Sequence, residues 1–440
     1  MGNDTLLERR YRVLGRRSPL FYDEPLNLVR GEGVWVYDAD GRRYLDAYNN
    51  VPHVGHCHPH VVDALCRQAA LLNTHTRYLH ENVVAYAERL TAKFDAPLTM
   101  AIFTCTGSEA NELALRIARD CSGGMGIIGT AHAYHGNTAA VIELGSVFTP
   151  PAKRGPYVRT VPVMDPYRDR AGRSDEELAT AYADDVKRAI DSFAAAGVPF
   201  AGLLFCTSFS SEGLPTLPAG FMSKALAHVH AAGGFFIADE VQSGFGRFGS
   251  HMWGYQKLGV VPDIVTLGKP MGNGHPLAGV VARRDLVERF TGENMYFNTF
   301  AGNPVSAAVG MAVLDVLENE RLLDNALEVG RYTLDRLAAL AGKHELIGDI
   351  RGAGLFFAVD LVRDRKIKTP AAEQSGRLVN LMRERGVLIS RIGPADNILK
   401  IRPPMPFSRE NADLLVDTLD GAFRALKRTW PGDLTHVGCD

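Results

Sequence analysis

Short, continuously apolar runs recur along this chain, at Met100 to Thr104, Ile127-Ile128, Gly202 to Cys206, Phe235 to Ala238, Ile264 to Leu267 and Gly279 to Ala282. None alternates polar with apolar residues, so a strand made from any of them needs cover on both faces. Helical periodicity fills the gaps, at Val61 to Leu72, Asn82 to Phe94, Glu109 to Arg119, Glu176 to Ala196 and Ala219 to Ala232. Strands alternating with helices predict an α/β fold on a mostly parallel sheet. From about Asn303 the pattern changes to two helices, ending near Leu340. Strand-like segments at Leu355 to Leu361 and Val387 to Ile389 follow, then a closing helix from Arg409 to Leu426, which reads as a smaller α+β unit. The expected division is therefore an N-terminal segment, 1–60, a large domain, 61–305, and a small domain, 306–440. The polar stretch Tyr167 to Glu177 reads as an exposed loop.

Two residues at strand ends carry chemistry. Lys269 follows the run Ile264 to Leu267 in the glycine-rich stretch Gly268-Lys269-Pro270-Met271-Gly272-Asn273-Gly274. Burial there lowers an amine's pKa toward the nucleophile that imine chemistry needs, although a lysine in such a loop also suits solvent or phosphate. Asp239 closes the run Phe235 to Ala238, at the sheet edge where open α/β folds bind ligands; its bland reading is a helix cap. Together they suit pyridoxal phosphate, the amine forming the imine and the acid keeping the pyridine protonated. A phosphate site is expected at Thr106, Gly107 and Ser108, where a strand enters a helix whose first amides and positive dipole end attract anions. The same residues also read as a plain capped helix start. Tyr134 and His135 are further candidate contacts, with the Tyr134 ring able to stack on a pyridine.

Several ordered stretches extend this picture. They include Asp38 to Asp46, Gly55-His56-Cys57-His58-Pro59, Thr106 to Asn111, Tyr134-His135-Gly136, Asp239 to Arg247, Gly268-Lys269, Thr299 to Pro304 and Arg351 to Leu355. In these the chain resembles the class III, fold type I pyridoxal-phosphate aminotransferases, from roughly Gly31 to Glu410. The resemblance implies a fold type I transferase in which Lys269 carries the cofactor, Asp239 pairs with its ring nitrogen and Gln242 bonds the ring hydroxyl. It further implies that Thr106, Gly107 and Ser108 cradle the phosphate and Tyr134 stacks on the ring. Thr299 would reach the phosphate of a neighbouring subunit, which requires a homodimer with shared active sites.

Composition excludes other classes. The 440 residues are 46% hydrophobic and carry a formal net charge of −2, so neither a nucleic-acid nor a membrane field is expected. Cys57, Cys66, Cys105, Cys121, Cys206 and Cys439 have no framework spacing, which suits a reducing cytoplasm. No apolar run approaches about 18 residues, and the polar start Met1 to Asp4 lacks a signal-peptide core. Pro52 to His60 gathers His53, His56, Cys57, His58 and His60, but at no zinc-site spacing, so no metal is expected. No Gly-x-Ser-x-Gly elbow is present.

The substrate side departs from the family in three ways. Lys400 stands where amino-acid members have a carboxylate-clamping arginine, three residues before Pro403-Pro404. Cys206 occupies the place of that arginine's glutamate partner, counted back from Gly220. Arg402 could compensate, but is expected on the other strand face from Lys400. Arg391 lies near the mobile arginine of amine transaminases and is expected to receive a keto acid. The expected function is a ping-pong transaminase moving an amino group from a primary amine or ω-amino acid to an acceptor such as pyruvate. The alternative is elimination. Asn49 to Pro59, Leu72 to His80 and Val261 to Thr266 resemble the branch containing phospholyases of O-phosphoethanolamine and phosphohydroxylysine, which also have lysine at the place of Lys400.

Overall fold

The structure, a computed structural model, describes residues 5–429 apart from Ser146 and Phe148. The expectations on Met1 to Asp4 and on Cys439 lie outside the described residues. The apolar runs form a seven-stranded sheet in the order Leu98–Thr104, Ala278–Arg283, Ile264–Leu267, Phe235–Asp239, Phe200–Cys206, Gly126–Thr130, Val158–Val161. Ala278–Arg283 is antiparallel to both its neighbours, and the remaining pairs are parallel. Burial on both faces explains why these runs are almost wholly apolar, with Thr104 and Thr266 the buried polar residues among them. Leu204, Ile237 and Ile264 join the cluster under the helix Gly107–Ser122, while Phe205, Phe236 and Val265 join the larger cluster on the opposite face. Each such side chain contributes roughly 1.5–3 kcal/mol of burial. The edge strand Val158–Val161 lacks such a run, because only its two end residues are buried.

Two smaller sheets complete the fold. Leu28–Glu32, Trp35–Asp38 and Arg43–Asp46 form an antiparallel meander that Val387–Leu388 extends in parallel, tying the N-terminal segment to the C-terminal part of the chain. Ile347–Ala353, Phe356–Leu361, Ile398–Ile401 and Ser390–Ile392 form the other. The expected strand Val387 to Ile389 is thus cut short. The chain leaves one sheet after Leu388 and enters the next at Ser390.

The stretch Tyr167 to Glu177 is only partly a loop. Pro166–Asp169 makes a helical turn capped by Asp165, and Arg168 forks onto buried Asp360 at 2.7 and 2.8 Å. The histidines of Pro52 to His60 disperse among separate partners. His53 Nε2 donates to the Phe245 carbonyl, and His56, His58 and His60 pair with Asp46, Glu320 and Asp315. Among the described residues, Cys57, Cys66, Cys105, Cys121 and Cys206 are unpaired, and no helix is long and apolar enough to cross a membrane.

Candidate active site

The carboxyl ends of the central strands open on a cleft lined by Gly107, Ser108, Tyr134, His135, Gly136, Asp239, Val241, Gln242 and Lys269. At its anion end the helix Gly107–Ser122 begins with a capping box. Thr106 accepts from the Glu109 amide, while the Glu109 carboxylate takes the amides of Cys105 and Thr106 at 2.8 and 2.9 Å. The amides of Gly107 and Ser108 are left for a ligand. Thr106, expected in the phosphate cradle, therefore spends its hydroxyl on the cap and does not line the cleft. Thr299, expected to serve a neighbouring subunit, is exposed and outside the lining too. Glycine is required around this end. A Cβ at Gly136, whose φ is +146°, would stand 2.6 Å from Ser108 Oγ, and one at Gly107 would press on Val241 at 3.1 Å.

Asp239 lines the same cleft and is almost fully buried. Its Oδ2 accepts from His135 Nδ1 at 2.7 Å and Asn111 Nδ2 at 3.1 Å, and its Oδ1 from the Val241 amide at 3.0 Å. Asn111 is oriented in turn by the Thr266 hydroxyl, which donates to its Oδ1 at 2.7 Å. One lone pair of Oδ1 stays available, directed by a network that holds the carboxylate in place. Asn111 and Thr266 were missed as functional residues. The available signal was spacing, since Asn111 lies one helical turn beyond Gly107 and so shares its face.

Lys269 follows Gly268 at the start of a 3₁₀ turn, Lys269–Gly272. A Cβ at Gly268 would meet Val241 at 3.2 Å, so glycine lets the lysine strand close against that side chain. Burial, then the charge of Arg402, push the Lys269 amine below the ordinary lysine range, against smaller pulls from Asp239 and Cys206.

Beside the lysine, Gln242 Oε1 accepts from Lys400 Nζ at 3.1 Å and also from Arg402. The expectation that Arg402 faces away from Lys400 is corrected here: residues two apart along an extended chain share a face. Burial, then Arg402 and Lys269, hold the Lys400 ammonium well below its usual range. Burial lowers Arg402 to about 10. Arg391 is not brought to the cleft. It pairs across the sheet with Leu399, whereas Ser390 pairs with Lys400, so its side chain leaves by the other face and donates to the Ala372 carbonyl at 3.1 Å. Cys206 stands in register with Asp239 on the adjacent strand.

An acid with one spare lone pair, a depressed amine, two helix-end amides and close-approach glycines at Gly107, Gly136 and Gly268 match what pyridoxal phosphate offers: a ring nitrogen, an aldehyde and a phosphate. The sequence profile of the family described as Aminotransferase class-III matches residues 21–423. A Drosophila melanogaster protein described as alanine--glyoxylate aminotransferase 2-like is 42% identical over 92% of this chain and 84% of its own length. A Caenorhabditis elegans ethanolamine-phosphate phospho-lyase homolog 1 is 36% identical over 97% of this chain and 94% of its own. Among solved structures, a phospholyase from Arthrobacter in complex with phosphoethanolamine superposes with a TM-score of 0.93 at 48% identity, covering 96% of this chain and 100% of that one.

Proposed function

Since the chain belongs to the class III aminotransferase family of pyridoxal-phosphate enzymes, we propose that it is a lyase releasing phosphate and ammonia from a small phosphorylated amine of the phosphoethanolamine type. One observation carries the reading. Lys400 and Arg402 are buried side by side, and among the described residues neither forms an ion pair with a carboxylate; both donate to the neutral oxygen of Gln242 and both lie over the Phe356 ring. Such a pair suits a dianion better than the single carboxylate of a keto acid. Arg391, the residue from which transfer to a keto acid was expected, points to Ala372 instead. The likeness to the Arthrobacter phospholyase supports the same substrate class.

Bound pyridoxal phosphate supplies an aldehyde that condenses with amines and a protonated ring that accepts an electron pair. The amides of Gly107 and Ser108 would hold its phosphate, Asp239 Oδ1 would hold the proton on its ring nitrogen, and Lys269 would be its attachment point. The Lys269 amine would also take the proton from the substrate carbon next to nitrogen. Lys400 and Arg402 hold the substrate phosphate as its bond to the second carbon breaks. Water then converts the remaining two-carbon fragment to an aldehyde and ammonium, so atoms balance without a keto acid.

Lys400→Met tests the assignment. Truncating one member of a buried charged contact costs roughly 2–5 kcal/mol, so the Kd for phosphoethanolamine is expected to rise at least about tenfold while the Kd for unphosphorylated ethanolamine stays put. Equal effects on both amines would remove Lys400 from phosphate recognition. Transamination remains the second reading, supported by the aminotransferase relative and by a Lys269 that serves either fate.

We also propose a homodimer. Leu79, Met295 and Phe300 are 100%, 89% and 72% exposed beside Thr299, and the two segments touch where His75 and Arg77 pack on the Phe297 ring. A cluster of this kind fits an interface. Unpaired thiols at the described cysteines support a reducing compartment such as the cytoplasm.

A further inference from the structure

Of the histidines between Pro52 and His60, His53 alone is fully buried, and the reaction above gives it no task. It faces Arg247, which is fully buried too and meets no carboxylate among the described residues. Arg247 Nη2 donates to His53 Nδ1 at 2.9 Å, and its Nη1 donates to the carbonyls of Leu355, at 3.2 Å, and Pro403. A guanidinium has only donors, so Nδ1 must be the accepting nitrogen of the ring and the ring proton must sit on Nε2. That nitrogen donates to the Phe245 carbonyl at 2.7 Å. Geometry therefore fixes one neutral tautomer of His53, whose lone pair holds the guanidinium in place.

Backbone bonds show what the couple ties together. The Leu355 amide donates to the Arg247 carbonyl at 3.0 Å, the Met405 amide to the His53 carbonyl at 2.8 Å, and the Arg402 amide to the Ala47 carbonyl at 2.7 Å. Pro403 and Pro404 contribute no amide, so the turn after Arg402 is anchored through the Pro403 carbonyl and by the amides on either side. Gln242 and Arg247 belong to one segment, 241–248, and two bonds join it to the turn. The Arg402 side chain reaches Gln242 Oε1, and Arg247 reaches the carbonyl of the very next residue, Pro403.

We propose that His53 and Arg247 form a positioning couple for Arg402: His53 aims the Arg247 guanidinium at the Pro403 carbonyl, which fixes where Arg402 stands against Gln242 and so sets its reach toward the anionic end of the substrate. Neither residue lines the cleft. Both act through Arg402. The inference rests on the lyase reading for the chemistry of that anion, but its test needs no turnover.

Inorganic sulfate is the probe, a dianion titrated calorimetrically into the holoenzyme, whose cofactor already occupies the phosphate cradle. Asn at position 53 keeps an acceptor near the place of Nδ1, whereas Phe keeps the ring and loses the acceptor. His53→Phe is expected to raise the sulfate Kd about tenfold, and His53→Asn less than about threefold. A packing role would rank the two the other way, because Phe fills the space and Asn leaves a void. In an Arg402→Gln background, His53→Phe is expected to cause no further loss, since its effect passes through the missing guanidinium. Nitrogen-15 NMR of the wild type reads the tautomer without any variant, with His53 expected to carry its proton on Nε2 alone near neutrality. Tighter sulfate binding by His53→Phe than by His53→Asn, a tenfold loss that persists without Arg402, or a proton on Nδ1 would each overturn the proposal. Wild-type holoenzyme that binds no sulfate would overturn it together with the lyase reading. Protein that meets every expectation yet releases no phosphate from phosphoethanolamine would overturn only the lyase reading.

Discussion

At the residue scale, the site works by controlling which groups carry charge in a dry cleft. Burial and the neighbouring Arg402 depress the Lys269 amine. A depressed amine is free base at a lower pH than an ordinary lysine, so the apoenzyme is expected to take up pyridoxal phosphate covalently below the usual lysine range. Arg402→Gln removes the second of the two causes, which lets the pKa rise and moves the acid limb of uptake to higher pH. The appearance of the bound cofactor's absorbance against pH measures it, and an unmoved limb would contradict the electrostatic role. Lys269, Asp239 and Gly107 were legible in the sequence because each is announced locally, by a strand end or a glycine-rich turn. Asn111 was not, since its partner Asp239 is 128 residues away. The two-residue period of an extended chain puts Arg402 with Lys400, and the structure brings both to Gln242.

At the element scale, the helix Gly107–Ser122 divides capping from ligand binding, and two substitutions separate them. Thr106→Ala removes the cap and is expected to cost about 1 kcal/mol of stability with little change in cofactor affinity. Gly136→Ala forces a left-handed residue against Ser108. It is expected to cost roughly 1–3 kcal/mol and to loosen the cofactor about tenfold. Thermal melts of the apo and holo forms distinguish the two, and equal effects on cofactor affinity would show that Thr106 binds phosphate after all. The inner strands of the large sheet are readable because burial on both faces makes them almost wholly apolar, whereas the edge strand Val158–Val161 is not. The break at Ile389 was hidden, because a strand that changes sheets keeps the same composition. That break decides the fate of Arg391, which belongs to the second sheet and leaves by its far face.

At the scale of the whole molecule, the large sheet places Asp239 and Lys269 at its strand ends, while the strand Ile398–Ile401 and the Arg402 that follows it bring Lys400 and Arg402 to Gln242. Their meeting makes the substrate side a property of tertiary packing rather than of any one motif. The exposed apolar cluster beside Thr299 predicts a dimer. Phe300→Asp is expected to shift sedimentation toward the monomer and to weaken cofactor retention, and an unaltered sedimentation coefficient would place the interface elsewhere. Elimination and transfer both begin from the same lysine. Product partition without an acceptor separates them: holoenzyme is mixed with excess phosphoethanolamine and no keto acid, and phosphate, ammonia and the cofactor spectrum are followed together. The account predicts equal amounts of phosphate and ammonia over many turnovers with the cofactor spectrum restored at the end. A single stoichiometric conversion of the cofactor to its aminated form, with no phosphate released, would contradict it.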